Sequence, residues 1–289
     1  MKDTGCLYTL ITGASIGLGK AFAEECAGRK MNLILISLPN ENLEVLSEKL
    51  RQTYQIKVHC KETDLTKLDT VLEIANWVTT NFTVNMLINN AGIGGTQVFV
   101  DSEIDYLDNM IQLNIRAMTL LTRTLLPELK KLKSAYILNV SSLAAFSPVP
   151  YKTIYPATKA FVHHFTRGLE AELQETNVSV SVLNPGPIMT NADVSTRING
   201  QSFYVKLSIM TPEQIATIAI GKMLKGKSVI IPGIMNQINA FFIRLVTENF
   251  RISVGTRIFK REKKNCDEST NNRSKQPSWK QSGKKTIAR

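Results

Sequence analysis

Short β-rich runs alternate with longer helical patterns along this chain, and that alternation restricts the fold more than any other feature. The runs are LYTLIT (7–12), NLILIS (32–37), KVHCKE (57–62), NMLINN (85–90), AYILNVS (135–141), VSVSVL (178–183) and SVIIP (228–232). Helical spacing fills the intervals; Leu68, Val71, Leu72, Ala75 and Val78, for instance, recur on one stripe. Strand, helix, strand units with right-handed crossovers cover both faces of a parallel sheet. The expected class is therefore α/β, a single doubly wound parallel sheet with helices on both faces. Thr211-Pro212-Glu213-Gln214 marks a late helix start, where threonine caps, proline suits the first turn and glutamine reaches back.

One domain is expected over residues 1–233, followed by an amphipathic extension at 234–259 and a disordered basic tail at 260–289. The tail carries ten Lys/Arg against three Asp/Glu, so it holds +7 of the chain's net charge of +11. The body is thus nearly balanced, and nucleic acid is not an expected partner. Cys6, Cys26, Cys60 and Cys266 show no metal-ligand or disulfide spacing. They suit a reducing compartment, and the expected location is cytoplasmic, with peripheral membrane contact through 234–289 as an option. MKDTGCLYTLITG passes straight into a strand pattern, so no secretory leader is expected. The most apolar late segment, INAFFIRLVTENF, is interrupted by Arg244 and Glu248 and is not expected to span a bilayer.

After the first run comes TGASIGLGKAFAEECA, with Gly13, Gly17 and Gly19 leading into an alanine-rich helical pattern. Glycines there allow a sharp turn, bring backbone N–H groups close to a pyrophosphate, and aim a helix N-terminus at negative charge. At the end of the second run, LISLPNEN offers neither the acid that favours NAD(H) nor the arginine that favours NADP(H). Glu41 is expected inside the next helix. With no repelling acid, and with Ser37 or Asn40 able to donate hydrogen bonds, the site leans to NADP(H) over NAD(H).

TIYPATKAF places Tyr155 and Lys159 four residues apart, on one helix face. A free phenol, with pKa about 10, exchanges protons poorly near neutrality, and an adjacent cation favours the phenolate. In register with this pair stand Thr12-Gly13-Ala14-Ser15-Ile16-Gly17-Leu18-Gly19, Asp64, Asn89-Asn90-Ala91-Gly92, Asn114, Ser142, Tyr155-Pro156-Ala157-Thr158-Lys159 and Asn184-Pro185-Gly186. The set resembles the short-chain dehydrogenase/reductase family, with a Rossmann-like fold, across about residues 7–233. It is further similar to the branch reducing steroid and fatty acyl ketones.

The resemblance implies an NAD(P)-dependent oxidoreductase interconverting a carbonyl and a secondary alcohol. Tyr155 would be general acid for reduction, Lys159 would hold the nicotinamide ribose, Ser142 would bind the reacting oxygen, and Asn114 would distort its helix and support a water path to Lys159. Cofactor contacts are implied at Gly13, Ser15, Ile16, Gly17, Leu18, Gly19, Ser37, Asp64, Asn90, Ala91, Gly92, Pro185, Gly186, Ile188 and Thr190. Strand alternation selects Ser142 over Ser141 for the oxygen. Pro156 departs from the small residue familiar after the tyrosine; it is harmless in a first helical turn and disruptive if the helix starts earlier. His163 and His164 have no accompanying ligand residues and are given no metal role.

Residues 187–211 are expected to form a lid, made apolar by Phe203, Tyr204, Leu207 and Met210, which favours a lipophilic carbonyl or alcohol substrate. The extension at 234–259 could lie on an anionic membrane or pack on the body or a second subunit, the commoner role of an apolar helix face. Homodimers and homotetramers are usual in the family. The alternative function is a non-catalytic nucleotide-binding regulator or scaffold; an epimerase or dehydratase would want a larger substrate domain.

Overall fold

The computed structural model describes residues 3–95, 97–189, 208–253 and 256–257. Thr190, most of the expected lid and the tail at 260–289 lie outside the described residues. Seven parallel strands form one sheet in the order β3-β2-β1-β4-β5-β6-β7. They are β1 (Asp3–Thr12), β2 (Asn32–Ser37), β3 (Val58–Glu62), β4 (Phe82–Asn89), β5 (Ala135–Val140), β6 (Val178–Leu183) and β7 (Val229–Ile230). Every expected strand is present. β1 and β4 begin earlier than the apolar pattern indicates, because Asp3 pairs with Phe82 below the hydrophobic part of both strands.

The order reverses between β1 and β4, which is where a doubly wound sheet opens a crevice beyond its carboxyl edge. Connecting helices are α1 (Gly17–Gly28), α2 (Leu43–Tyr54), α3 (Leu68–Asn81), α4 (Ile104–Ile111), α5 (Met118–Leu129), α6 (Ile154–Glu172), α7 (Pro212–Met223) and α8 (Ile234–Leu245). α7 starts with the expected reciprocal cap between Thr211 and Gln214. Glu41 corrects the sequence expectation: α2 begins only at Leu43, because Asn40 and Asn42 adopt positive φ of 66° and 56° and delay the helix.

Strand alternation builds two cores. Leu33 and Leu35 of β2 join Phe22, Cys26, Leu46, Leu50, Ile215 and Met223 on one face. Ile34 and Ile36 join Tyr8, Leu10, Val71, Ile74, Leu121 and Leu125 on the other. With both faces covered, the loops leaving the carboxyl ends of the strands are where the candidate site gathers.

Phe22 is fully buried between α1 and the sheet. Phe22→Ala should lower unfolding free energy by about 3–5 kcal/mol, measured by urea denaturation.

Candidate active site

The glycine turn is shaped by what approaches it. Gly13 has φ +64°, and a Cβ on it would lie 2.9 Å from Cα of Ala91; a Cβ on Gly19 would collide with the Gly13 carbonyl. Asn90 donates its side-chain amide to the carbonyls of Thr12 and Gly13, both at 3.0 Å. Thr12 Oγ1 accepts in return from the N–H groups of Asn90 and Ala91, at 3.1 and 3.0 Å. Neither Ile16 nor any acid in the first turn caps α1, so its N-terminal N–H groups are left for an anion.

A cavity of about 320 Å³ lies over this turn. Gly13, Ser15, Ile16, Leu18 and Gly19 line one side, and Asn90, Ala91 and Gly92 line the other, with Ser37 at the end. Gly17 is excluded from the lining but supplies a positive φ of 54° at the start of α1. Absent side chains at the glycines and an uncapped helix end fit a dinucleotide pyrophosphate. Asp64 is turned elsewhere: its Oδ1 accepts from the backbone and hydroxyl of Thr66, while Thr63 and Leu65 line the cavity.

The premise of an acid-free adenosine end does not survive. Glu41, outside α2, lines the cavity and accepts a hydrogen bond from Ser15 Oγ. Ser37 is buried, and its hydroxyl donates to the Leu38 carbonyl at 3.0 Å. Sequence spacing missed Glu41 because its approach depends on the two left-handed asparagines that hold it out of the helix.

At the other end, four side chains converge from three elements. α6 begins at Ile154, so Pro156 falls in the first turn with no hydrogen bond to lose, and the Tyr155–Lys159 face is intact. The Tyr155 hydroxyl is hydrogen-bonded to Ser142, which follows β5 and also accepts the Ala144 N–H at 3.1 Å. Ser141 points the other way, as alternation requires, and donates to the Lys159 carbonyl at 2.7 Å. Lys159 is buried; its Nζ donates to the Val140 carbonyl at 2.9 Å and lies 5.9 Å from the centre of the Tyr155 ring.

Asn114 sits in a π-helical stretch, Gln112–Ala117, between α4 and α5. Its Oδ1 accepts the Ile93 N–H at 2.9 Å, and its Nδ2 donates to the Ile93 carbonyl at 2.9 Å and to Thr158 Oγ1 at 3.0 Å. This amide therefore ties the segment after β4 to α6. Gly92 lies in the same corner, where a Cβ would stand 3.0 Å from Asn114 Oδ1 and 3.3 Å from Lys159 Nζ.

Burial changes the electrostatics from what spacing alone implies. It pushes the Tyr155 phenol above its usual value, opposed by the Ser142 hydrogen bond. Lys159 is held down at about 8, again by burial. Loss of water sets the direction for both groups, raising the phenol and lowering the lysine. A raised phenol stays protonated near neutrality, the state a general acid requires.

Sequence spacing also missed Gly94 and Gly95. A Cβ on Gly94 would lie 2.6 Å from the Tyr155 ring, and one on Gly95 would collide with the Tyr106 hydroxyl. The adjacent-glycine pattern was the available signal. Beside them a recess next to Tyr155 is walled by Phe99, Tyr106, Leu107 and Met110.

Pro185 accepts the Leu143 N–H at 3.0 Å, and Asn184 Oδ1 pairs with His163 Nδ1 at 3.2 Å. Gly186 is packed under Asn236, and Ile188 bridges to Met210. These three expected contacts, Pro185, Gly186 and Ile188, stand outside the lining of the 320 Å³ cavity.

A glycine cradle at the switch point of a parallel sheet, with Ser, Tyr, Lys and Asn gathered at one end, defines a nicotinamide-dependent oxidoreductase. The short-chain dehydrogenase family pattern matches residues 8–200, and the chain belongs to that family. Very-long-chain 3-oxoacyl-CoA reductase-B of Danio rerio is 31% identical over 228 residues, covering 76% of this chain and 71% of the relative. NADP-dependent 3-hydroxy acid dehydrogenase of Schizosaccharomyces pombe is 30% identical over 77% of this chain and 88% of its own. Among solved structures, a short-chain dehydrogenase from Sphingobium yanoikuyae in complex with NADPH superposes with a TM-score of 0.70 at 28% identity, covering 79% of this chain and 88% of that one. The protein is thus an NAD(P)-dependent oxidoreductase acting on CH–OH donors.

Lys159 loses its charge as pH rises through about 8, far below the free lysine range, while Tyr155 remains protonated. Carbonyl reduction should therefore fall along a limb centred near pH 8, read from a pH–rate profile. A flat profile through that region would remove Lys159's charge from the rate.

Proposed function

We propose that the protein reduces a lipophilic ketone, of the steroid or fatty acyl kind, with Tyr155 as general acid. One observation carries this: the Tyr155 hydroxyl, bonded to Ser142, stands at the end of a glycine-lined cradle with Lys159 and Asn114 close behind it. The dinucleotide, when bound, supplies the hydride. Gly13, Gly19 and the open end of α1 would hold its pyrophosphate, and Lys159 its nicotinamide ribose. Ser142 fixes the carbonyl oxygen, and Tyr155 delivers the proton to that oxygen. Pro185, Gly186 and Ile188 would lie on the nicotinamide side. The names of the relatives support a lipophilic substrate. A homodimer or homotetramer would find contact in Phe161 and Phe165, stacked on the outer face of α6 at 5.9 Å.

Ser37 and Leu38 set no charge against a 2′-phosphate, but Glu41 sets a negative one. We expect a modest NADP(H) preference in the parent and a rise of about tenfold in the NADPH/NADH ratio of kcat/KM for Glu41→Gln. Preference for NADH in both proteins would reverse the cofactor assignment.

A panel of steroid and acyl ketones tests the reaction. Tyr155→Phe should lose at least about 100-fold in kcat while dinucleotide binding, followed by fluorescence, stays unchanged. Equal turnover by parent and variant would end the Tyr155 mechanism.

A further inference from the structure

We infer that α8 docks the protein on an anionic lipid surface, its aromatic stripe against the bilayer. Ile234, Ile238, Phe241 and Leu245 follow at steps of four, three and four, and so share one side of the helix. All are exposed, Phe241 at 61% and Leu245 at 65%, and Phe242 beside them is exposed at 58%. The two phenylalanine rings touch edge to face at 5.8 Å.

The other side of α8 is already engaged. Asn236 and Ala240 are buried, and Asn236 donates to the carbonyls of Ser208 and Pro232, both at 2.9 Å. Arg244 lies over the Phe146 ring at 4.4 Å, and Arg251, in the helical turn at 248–253, donates to the Phe146 carbonyl. The helix is therefore fastened to the body by polar contacts and shows its apolar side outward, the reverse of an ordinary surface helix.

Charge decides between a bilayer and a second copy as the occupant. Residues 234–289 carry thirteen Lys/Arg against four Asp/Glu, nine of the chain's eleven net positive charges. Two copies joined through this stripe would bring two such segments together, whereas an anionic leaflet attracts both the aromatic side chains and the basic residues. Twelve residues make a helix about 18 Å long, which suits lying along the surface. Among the described residues no helix is long and apolar enough to cross a membrane. Since Asn236 packs on Gly186 and holds Ser208, docking would set the substrate side of the site next to the lipid. Only that last consequence rests on the proposed function.

The test is cosedimentation of the full chain with phosphatidylcholine vesicles, with and without phosphatidylserine, beside the variant Phe241→Ser/Phe242→Ser/Leu245→Ser. The parent should sediment with the phosphatidylserine vesicles. The variant should partition at least about tenfold more weakly, with its circular dichroism and its turnover of a water-soluble ketone unchanged. Equal sedimentation of the two proteins, or none by the parent, overturns the proposal. A parent dimer in light scattering that the variant dissociates overturns it too, by assigning the stripe to a second copy. A parent that binds vesicles but turns over no ketone upholds docking and counts against the reductase proposal alone.

Discussion

The clasp between Thr12 and Asn90 is the constraint on which the site depends. Where β1 and β4 end, ladder hydrogen bonds stop and backbone groups need new partners. Thr12 takes two N–H groups of the β4 exit, and Asn90 takes two carbonyls of the β1 exit. Each strand thereby fixes the other's turn, and the glycine cradle is held by these two side chains. Asn90 thus acts through the backbone it holds, beyond the ribose contact its motif implies.

A second layer of the same kind surrounds the chemistry. Asn114 bonds both backbone groups of Ile93 and the hydroxyl of Thr158, joining the β4 exit to α6. Ser141 and Lys159 then join β5 to α6 through backbone carbonyls. Cutting any one of these leaves a buried polar group without its partner, a cost of about 1–3 kcal/mol. Rigidity of this corner follows from that cost, and a proton donor gains from being held in one place.

Much of the architecture was legible because its signals are local. Seven β-rich runs, the cap at Thr211, the glycine turn and the one-turn spacing of Tyr155 and Lys159 need only a few neighbouring residues to be recognised. Glu41, Gly94 and Thr158 were not legible, since each acquires its place from a distant element: Ser15, Tyr155 and Asn114 respectively. Spacing also leaves the surroundings of the phenol open. It shows which groups are neighbours and is silent about how much water they lose, and here desolvation sets the direction for both tyrosine and lysine. The extension at 234–259 was legible as amphipathic, but only the folded chain shows that its apolar side faces outward.

Ile188 and Met210 form a parallel bridge, with Met189 and Pro187 bonded to the Met210 backbone at 3.2 and 3.3 Å. This small seam closes the chain on itself across the eighteen residues 190–207. Insertions, deletions or wholesale replacement inside that span would leave the two stitched ends, and the proton-handling corner behind them, in register. The seam thus pins Ile188 and Met210 to each other directly, so that a change of length between them need not be passed on to the side chains gathered at Ser142 and Lys159.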